Sequence, residues 1–269
     1  MTAPTIRRSF VDTGAGAIHV ASAGAGFPVL LLHQTPRSWD EFRDVLPLLG
    51  RDFRAIAIDT AGFGDSCKLP PAEHSIERWA AIAFEVLDAL GVDGAAVVGH
   101  HTGAVTALEM AASQPARVKA LVLSSCPYND AARRSAHAGK RTIDDVQARA
   151  DGAHLTELWS RRQPYYPAGD IGLMERFIAD AIKAGPMASH GHVVVRNYLM
   201  EQRISLVSAP TLVLQAGSDP HAAPYAGRVA AAIGGSVLHT IAEGMVPMPD
   251  QLPELFARAV ADFLSVHTA

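Results

Sequence analysis

Residues 95–103 read A-A-V-V-G-H-H-T-G, and an apolar stretch containing Ala104, Val105, Leu108, Met110 and Ala111 follows. A short apolar strand that passes through a glycine-flanked pentapeptide into a helix has little conformational freedom. The chain must reverse sharply, and Gly99 and Gly103 supply the small residues that let it do so. This is the frame of a nucleophile elbow, G-x-S-x-G, in which the central side chain stands at the tip of the turn. Here the central residue is His101. The frame confines the chain to strand–turn–helix construction. The histidine removes the hydroxyl on which the usual chemistry of such a turn depends.

The surrounding sequence fits a layered α/β domain. Residues 5–12 and 17–22 predict a hairpin-like pair of strands across Gly14-Ala15-Gly16. Continuous apolar runs at 28–33 and 54–59 predict strands buried on both faces. Ser38-Trp39-Asp40-Glu41 forms a capping-box pattern, which predicts a helix from there to Gly50. Ser75 opens a second helix with apolar positions at Ile76, Trp79, Ala80, Ala83, Val86, Leu87 and Leu90, ended by Gly91. Further strands are predicted at 118–124, 211–215 and 236–241. Helices are predicted from Pro224 to Ile233 and over 252–265. Strands alternating with helices imply a mainly parallel sheet covered on both faces.

Residues 127–207 break this alternation. They carry helical segments and no convincing strand, with Thr142-Ile143-Asp144-Asp145 as a cap signal. The stretch is too long for an ordinary loop. It predicts a helical lid inserted between the sixth and seventh strands of a core formed by 1–126 and 208–269.

Composition narrows the function classes. The 269 residues suit one α/β domain with an insertion, and 49% hydrophobic content is ample for a core. A formal net charge of −4 with interspersed signs favours neither nucleic acid nor an anionic membrane surface as partner. No apolar run approaches the ~18–20 residues of a membrane span. The first ten residues lack an apolar signal region, and two cysteines make no disulfide framework, so a reduced cytoplasmic setting is expected.

Several stretches resemble segments of the α/β-hydrolase superfamily, in its branch of epoxide hydrolases, haloalkane dehalogenases and small esterases. L-L-L-H-Q-T-P-R-S-W-D-E-F resembles the H-G-x-P segment after the third strand. A-I-D-T-A-G-F-G-D-S resembles the D-x-x-G-x-G-x-S loop. G-H-H-T-G stands at the elbow, Q-A-G-S-D-P resembles the acid-bearing segment, and I-A-E-G-M-V-P-M-P-D-Q-L resembles the tail that carries the catalytic histidine. The resemblance runs over nearly the whole chain. It implies an eight-stranded, mainly parallel sheet with a helical lid after strand 6, and it places the catalytic acid at Asp219.

The chain departs from that pattern at two of three triad positions. His101 replaces the nucleophile and Met245 replaces the catalytic histidine, while His33-Gln34 replaces H-G. Methionine accepts no proton, and no serine, cysteine or aspartate stands at the elbow, so the ester-forming routes are disfavoured. The alternative is a collapsed dyad, in which the longer His101 side chain reaches the space beside Met245 and bonds directly to Asp219. Such an imidazole can act as general base toward water or a carbon acid. The oxyanion-hole donors implied by the resemblance are the backbone N–H groups of Thr35 and Thr102, which side-chain changes leave intact. His33, Gln34, Tyr165 and Met245 are candidates for the pocket, Arg37 for its polar edge.

Three readings stay open. One is a hydrolase of a small ester, lactone or similar carbonyl compound, with a lyase-type proton abstraction as its variant. The second is a binding protein that keeps the pocket without turnover. The third is an elbow altered by design, although a knock-out usually takes alanine and leaves Met245 unexplained. All three need a small-molecule substrate or ligand and no cofactor. No metal site is predicted, because no His-x-x-x-His pair occurs among His33, His100, His101 and His221. The oligomeric state stays open, with a homodimer as the alternative to a monomer.

Overall fold

The computed structural model describes residues 4–268; residues 1–3 and 269, the ends of the expected core, lie outside it. Eight strands form one sheet: β1 (Arg7–Thr13), β2 (Gly16–Ala23), β3 (Pro28–Leu32), β4 (Arg54–Ile58), β5 (Ala95–His100), β6 (Val118–Ser124), β7 (Thr211–Ala216) and β8 (Val237–Ile241). Their order is β1-β2-β4-β3-β5-β6-β7-β8. β2 runs antiparallel to both β1 and β4, and every pairing from β4 to β8 is parallel.

Alternation within the strands sorts side chains onto two faces. In β3, Leu30 and Leu32 join one core cluster, while Val29 and Leu31 join the other. The first cluster packs against the helices α2 (Ile76–Ala89), α3 (Thr102–Ser113) and α8 (Ala226–Ala232) through Trp79, Val86, Leu108 and Val229. The second packs against α1 (Leu46–Leu49) and α10 (Pro253–Ser265) through Leu46, Phe256 and Val260. A short α9 (Met248–Gln251) precedes the last helix. Covering both faces explains why the central strands are apolar throughout rather than alternating.

Between β6 and β7 lie four helices and no strand: α4 (Ala131–His137), α5 (Ala153–Arg162), α6 (Ile171–Ala184) and α7 (Met187–Asn197). Leu158, Phe177 and Val194 of this inserted segment belong to the same apolar cluster as α2 and α3. No helix among the described residues is long and apolar enough to cross a membrane.

Two local expectations are corrected. The helix expected from Ser38 to Gly50 is a single 3-10 turn, Trp39–Phe42, followed by the four-residue α1. Ser38 does cap it, accepting the Asp40 N–H at 3.2 Å, but Glu41 does not close the box. Its carboxyl group turns inward and accepts the Gln34 N–H and Nε2–H at 2.8 and 2.6 Å. Likewise Thr142 caps no helix. Its hydroxyl meets Ser189 at 3.0 Å, and Asp144 is drawn away to pair with Arg162 and His192.

Candidate active site

The site gathers where parallel strands end and the chain must turn away, the usual ligand position in such sheets. At the end of β5 the chain enters α3 through His101, whose φ of 47° and ψ of −108° lie outside the helical region. Histidine tolerates positive φ better than most residues, but the turn works only with both glycines. A Cβ on Gly99 would fall 2.2 Å from the Gly103 carbonyl oxygen, and one on Gly103 would fall 1.9 Å from that of Leu32. The His101 N–H donates to Ser124 at 3.0 Å, tying the tip of the turn to the end of β6.

His100 fixes the turn from beneath. Its buried ring contacts Ser124 Oγ through Nδ1 and the Val246 carbonyl through Nε2, both at 2.8 Å. A carbonyl only accepts, so Nε2 carries the proton and Nδ1 accepts from the serine hydroxyl. Burial, reinforced by the neighbouring His101, pushes its pKa down to about 3 and keeps the ring neutral. The His100 and His101 rings meet edge to face at 4.8 Å.

Nε2 of His101 lies 2.9 Å from Oδ2 of Asp219, which sits in the loop after β7. The carboxylate is fully buried and the imidazole nearly so, at 14% exposure, so little water screens the pair. The contact is an ion-pair distance with poor N–H alignment, since neither atom makes a well-directed hydrogen bond. Oδ1 of Asp219 accepts the His221 N–H at 2.8 Å, which orients Oδ2 toward the ring. Burial alone would raise the Asp219 carboxyl group. The charge and contact of His101, then the His221 N–H, outweigh it and hold the group well below the ordinary carboxylate range.

A cavity of about 270 Å³ opens onto His101, with Asp219 behind the ring. Gln34, Thr35, His101 and Thr102 line it, together with Pro127, Val195, Val246 and His221. Thr102 begins α3, where a backbone N–H has no intrahelical partner. The Thr35 N–H donates to Thr102 Oγ1 at 3.3 Å, a long and readily exchanged bond.

A family model of the alpha/beta hydrolase fold matches residues 28–239. The chain belongs to this family. Among curated relatives, epoxide hydrolase 2 of Siraitia grosvenorii is 39% identical over 119 residues, covering 44% of this chain and 38% of that one. The 2-hydroxymuconate semialdehyde hydrolase of Pseudomonas sp. (strain CF600) is 36% identical over 123 residues, covering 45% and 43%. The matches thus span about two fifths of those relatives' length. Solved structures superpose almost completely. The enol-lactonase from Burkholderia xenovorans LB400 gives a TM-score of 0.80 at 17% identity, covering 96% of this chain and 100% of that one. A hydrolase from Pseudomonas aeruginosa PA01 gives 0.81 at 25% identity, covering 96% and 98%. These likenesses fix the fold.

Within this α/β-hydrolase frame the structure brings together His101, Asp219, Thr35, Thr102 and Gln34, and leaves three expected pocket residues outside. His33 is buried at the end of β3 and spent on backbone: Nδ1 donates to the Gln34 carbonyl at 2.8 Å, and Nε2 accepts the Thr60 N–H at 2.9 Å. Tyr165 does not line the cavity; its ring packs at a tilt against His221, centroids 4.6 Å apart, and so supports a lining residue. Met245 is half-buried beside the pocket, its N–H held by Gln251 Oε1 at 2.7 Å, and the next residue, Val246, faces the cavity instead. Arg37 is no pocket edge. It is wholly buried, donating from Nε to Asp180 at 2.8 Å and pairing with Asp250.

Other reactive groups are spent or inert. Burial pushes the Cys126 thiol up to about 12, and both cysteines are free. Among the described residues, His19, Asp59 and Asp65 alone have metal-ligand proximity. Asp59 already accepts the Trp39 and Asp65 N–H groups at 2.7 Å, and His19 Nε2 accepts from Arg8 at 2.9 Å. That cluster is explained by the loop it folds.

Sequence reasoning missed the cationic side of the cavity. Arg133, Arg141, Arg162, His192 and Arg196 of the inserted segment all line it. A signal existed: Arg133 with His137 and His192 with Arg196 are i, i+4 pairs, each on one helix face.

Proposed function

We propose that the chain is a hydrolase of small ester or lactone substrates that uses His101, braced by Asp219, as a general base without a covalent intermediate. One observation carries this reading: a buried carboxylate 2.9 Å from the imidazole at the tip of the elbow, in a cavity that also exposes Thr35 and Thr102. With Nε2 turned to Asp219, Nδ1 is the nitrogen left to accept a proton. Water placed beside Nδ1 gives it a proton while its oxygen attacks the carbonyl carbon. The carbonyl oxygen becomes an oxyanion, received by the Thr35 and Thr102 N–H groups once the Thr35–Thr102 bond opens. Asp219 stabilises the imidazolium so formed. The intermediate then collapses, the C–O bond to the leaving group breaks, and the imidazolium returns its proton to the departing alkoxide. An ester yields one acid and one alcohol, and a lactone yields a single hydroxy acid.

The inserted segment acts in this proposal as a lid. Its residues Ile143 and Val195 line part of the cavity, which reduces the water around the dyad. The relatives named as an epoxide hydrolase, a semialdehyde hydrolase and an enol-lactonase support hydrolysis as the reaction class. The test is a panel of p-nitrophenyl esters and simple lactones followed by product release. Turnover that disappears in His101→Ala supports the proposal. Binding of panel members without turnover would replace it with ligand retention.

A further inference from the structure

We infer that the substrate of this pocket carries a carboxylate, held at the wall of the inserted segment by Arg133 and Arg196. The inference rests on the cavity being the reaction site. It begins with the charge of that cavity: four arginines line it and no aspartate or glutamate does. Asp219 and Asp144 lie behind the imidazoles of His101 and His192 rather than on the surface.

The four arginines are not equivalent. Arg162 is committed to Asp144, with Nε 2.6 Å from Oδ1. Burial opposes ionisation of that carboxyl, but Arg162 and His192 outweigh it and hold it at about 2, so this cation is matched. Arg141 is matched by Asp145 at 3.0 Å. Arg133 and Arg196 have no carboxylate partner among the described residues. Arg196 donates only to the Lys140 carbonyl at 3.2 Å. The Arg133 guanidinium lies over the Tyr225 ring at 4.6 Å, a contact that holds the plane and leaves its N–H edge unused. The nearest acid on its own helix, Asp130, is engaged by Arg228 at 2.7 Å and by the Arg133 backbone N–H.

Two half-buried guanidinium groups on different helices thus share a cavity with no fixed anion to neutralise them. A guanidinium presents a planar fork of donors that matches a carboxylate. Pro127, Ile143, Val195 and Val246 supply apolar wall, which suits a short carbon chain. The geometry therefore describes a substrate with a carboxylate at one end and its scissile carbonyl at the His101 end.

Binding tests this independently of catalysis. Isothermal titration uses straight-chain carboxylates from propionate to octanoate, each beside its primary amide, with inorganic phosphate as a further probe. At least one acid is expected to bind about ten-fold or more tightly than its amide. The Arg133→Gln/Arg196→Gln double variant is expected to abolish that preference while keeping the wild-type melting temperature. Arg149→Gln, on the same segment but outside the cavity, keeps the preference, as does His101→Ala. Loss of turnover in His101→Ala with retained preference separates the two proposals. Equal binding of acids and amides, no binding of any acid at millimolar concentration, phosphate binding more tightly than every acid, or a preference that survives the double variant would each overturn the assignment.

Discussion

Asp219 divides its two oxygens between two jobs: Oδ1 accepts the His221 N–H at 2.8 Å, and Oδ2 stands 2.9 Å from Nε2 of His101. The first contact is local, within a turn, and sets the carboxylate's direction. The second crosses from the β7 loop to the elbow and gives the buried charge its partner. A fully buried carboxylate without such a partner would carry a large desolvation cost. The neutral His100 beneath, pushed down to about 3, supplies no competing charge.

Replacing Asp219 with asparagine leaves the shape and removes the charge. Because His101 and the His221 N–H hold the native carboxyl below its ordinary range, folding releases protons from it. Its stabilisation is present above the unfolded pKa of about 3.9 and is lost as pH falls through the depressed native value. Melting temperatures recorded from pH 6 downward should therefore fall less steeply for Asp219→Asn than for the wild type. Steady-state assays at neutral pH should show kcat reduced about a hundred-fold or more. Parallel melting curves would contradict a lowered Asp219 carboxyl.

A general-base route leaves no adduct. Intact-protein mass spectrometry during turnover should show unmodified chain, and fluorophosphonate probes should not label it. Ser124 Oγ is occupied by His100, and the Cys126 thiol, pushed up to about 12, is no nucleophile at neutral pH. A stoichiometric adduct on either residue would place the chemistry elsewhere.

Thr102 Oγ1 accepts the Thr35 N–H at 3.3 Å, the same donor the proposed oxyanion needs. Thr102→Val frees that N–H and keeps the volume. The expected outcome is a kcat equal to or above the wild-type value in the same ester assay. A fall of more than about ten-fold, roughly 1.4 kcal/mol, would mean the hydroxyl itself serves the reaction.

Away from the cavity, Arg37 binds the core to the inserted segment. It is fully buried, donating to Asp180 of α6 and pairing with Asp250, while Arg176 of α6 reaches Asp250 at 2.8 Å. Asp250→Ala leaves two arginines short of a counter-charge and should cost about 3 kcal/mol in denaturant unfolding. Asp250→Asn, which keeps an acceptor for both guanidinium groups, should lose less. Equal losses in both variants would contradict it.

The fold was legible where local signals and topology agree. Continuous apolar runs marked β3, β4 and β5, and Gly99 and Gly103 marked a turn that only glycine permits. The resemblance of Q-A-G-S-D-P to a known segment pointed to Asp219, and the structure sets that carboxylate 2.9 Å from the His101 ring. Less was legible where a side chain leaves its own element. Nothing local shows that Glu41 turns to Gln34 instead of capping its helix, or that Arg37 sinks into a carboxylate cluster drawn from three segments. Val246 rather than Met245 lines the cavity, with the Met245 N–H held by Gln251 and the Val246 carbonyl held by His100. The arginines of the inserted segment were hidden for the same reason: helical spacing says which residues share a face, not what that face looks upon.

The central claim is that catalysis depends on the imidazole of His101, and single-turnover hydrolysis of the best panel ester by His101→Ala tests it most directly. The account predicts a rate at least about a hundred-fold below wild type, with ester binding within a few-fold of normal. A variant that hydrolyses the ester at the wild-type rate would contradict it.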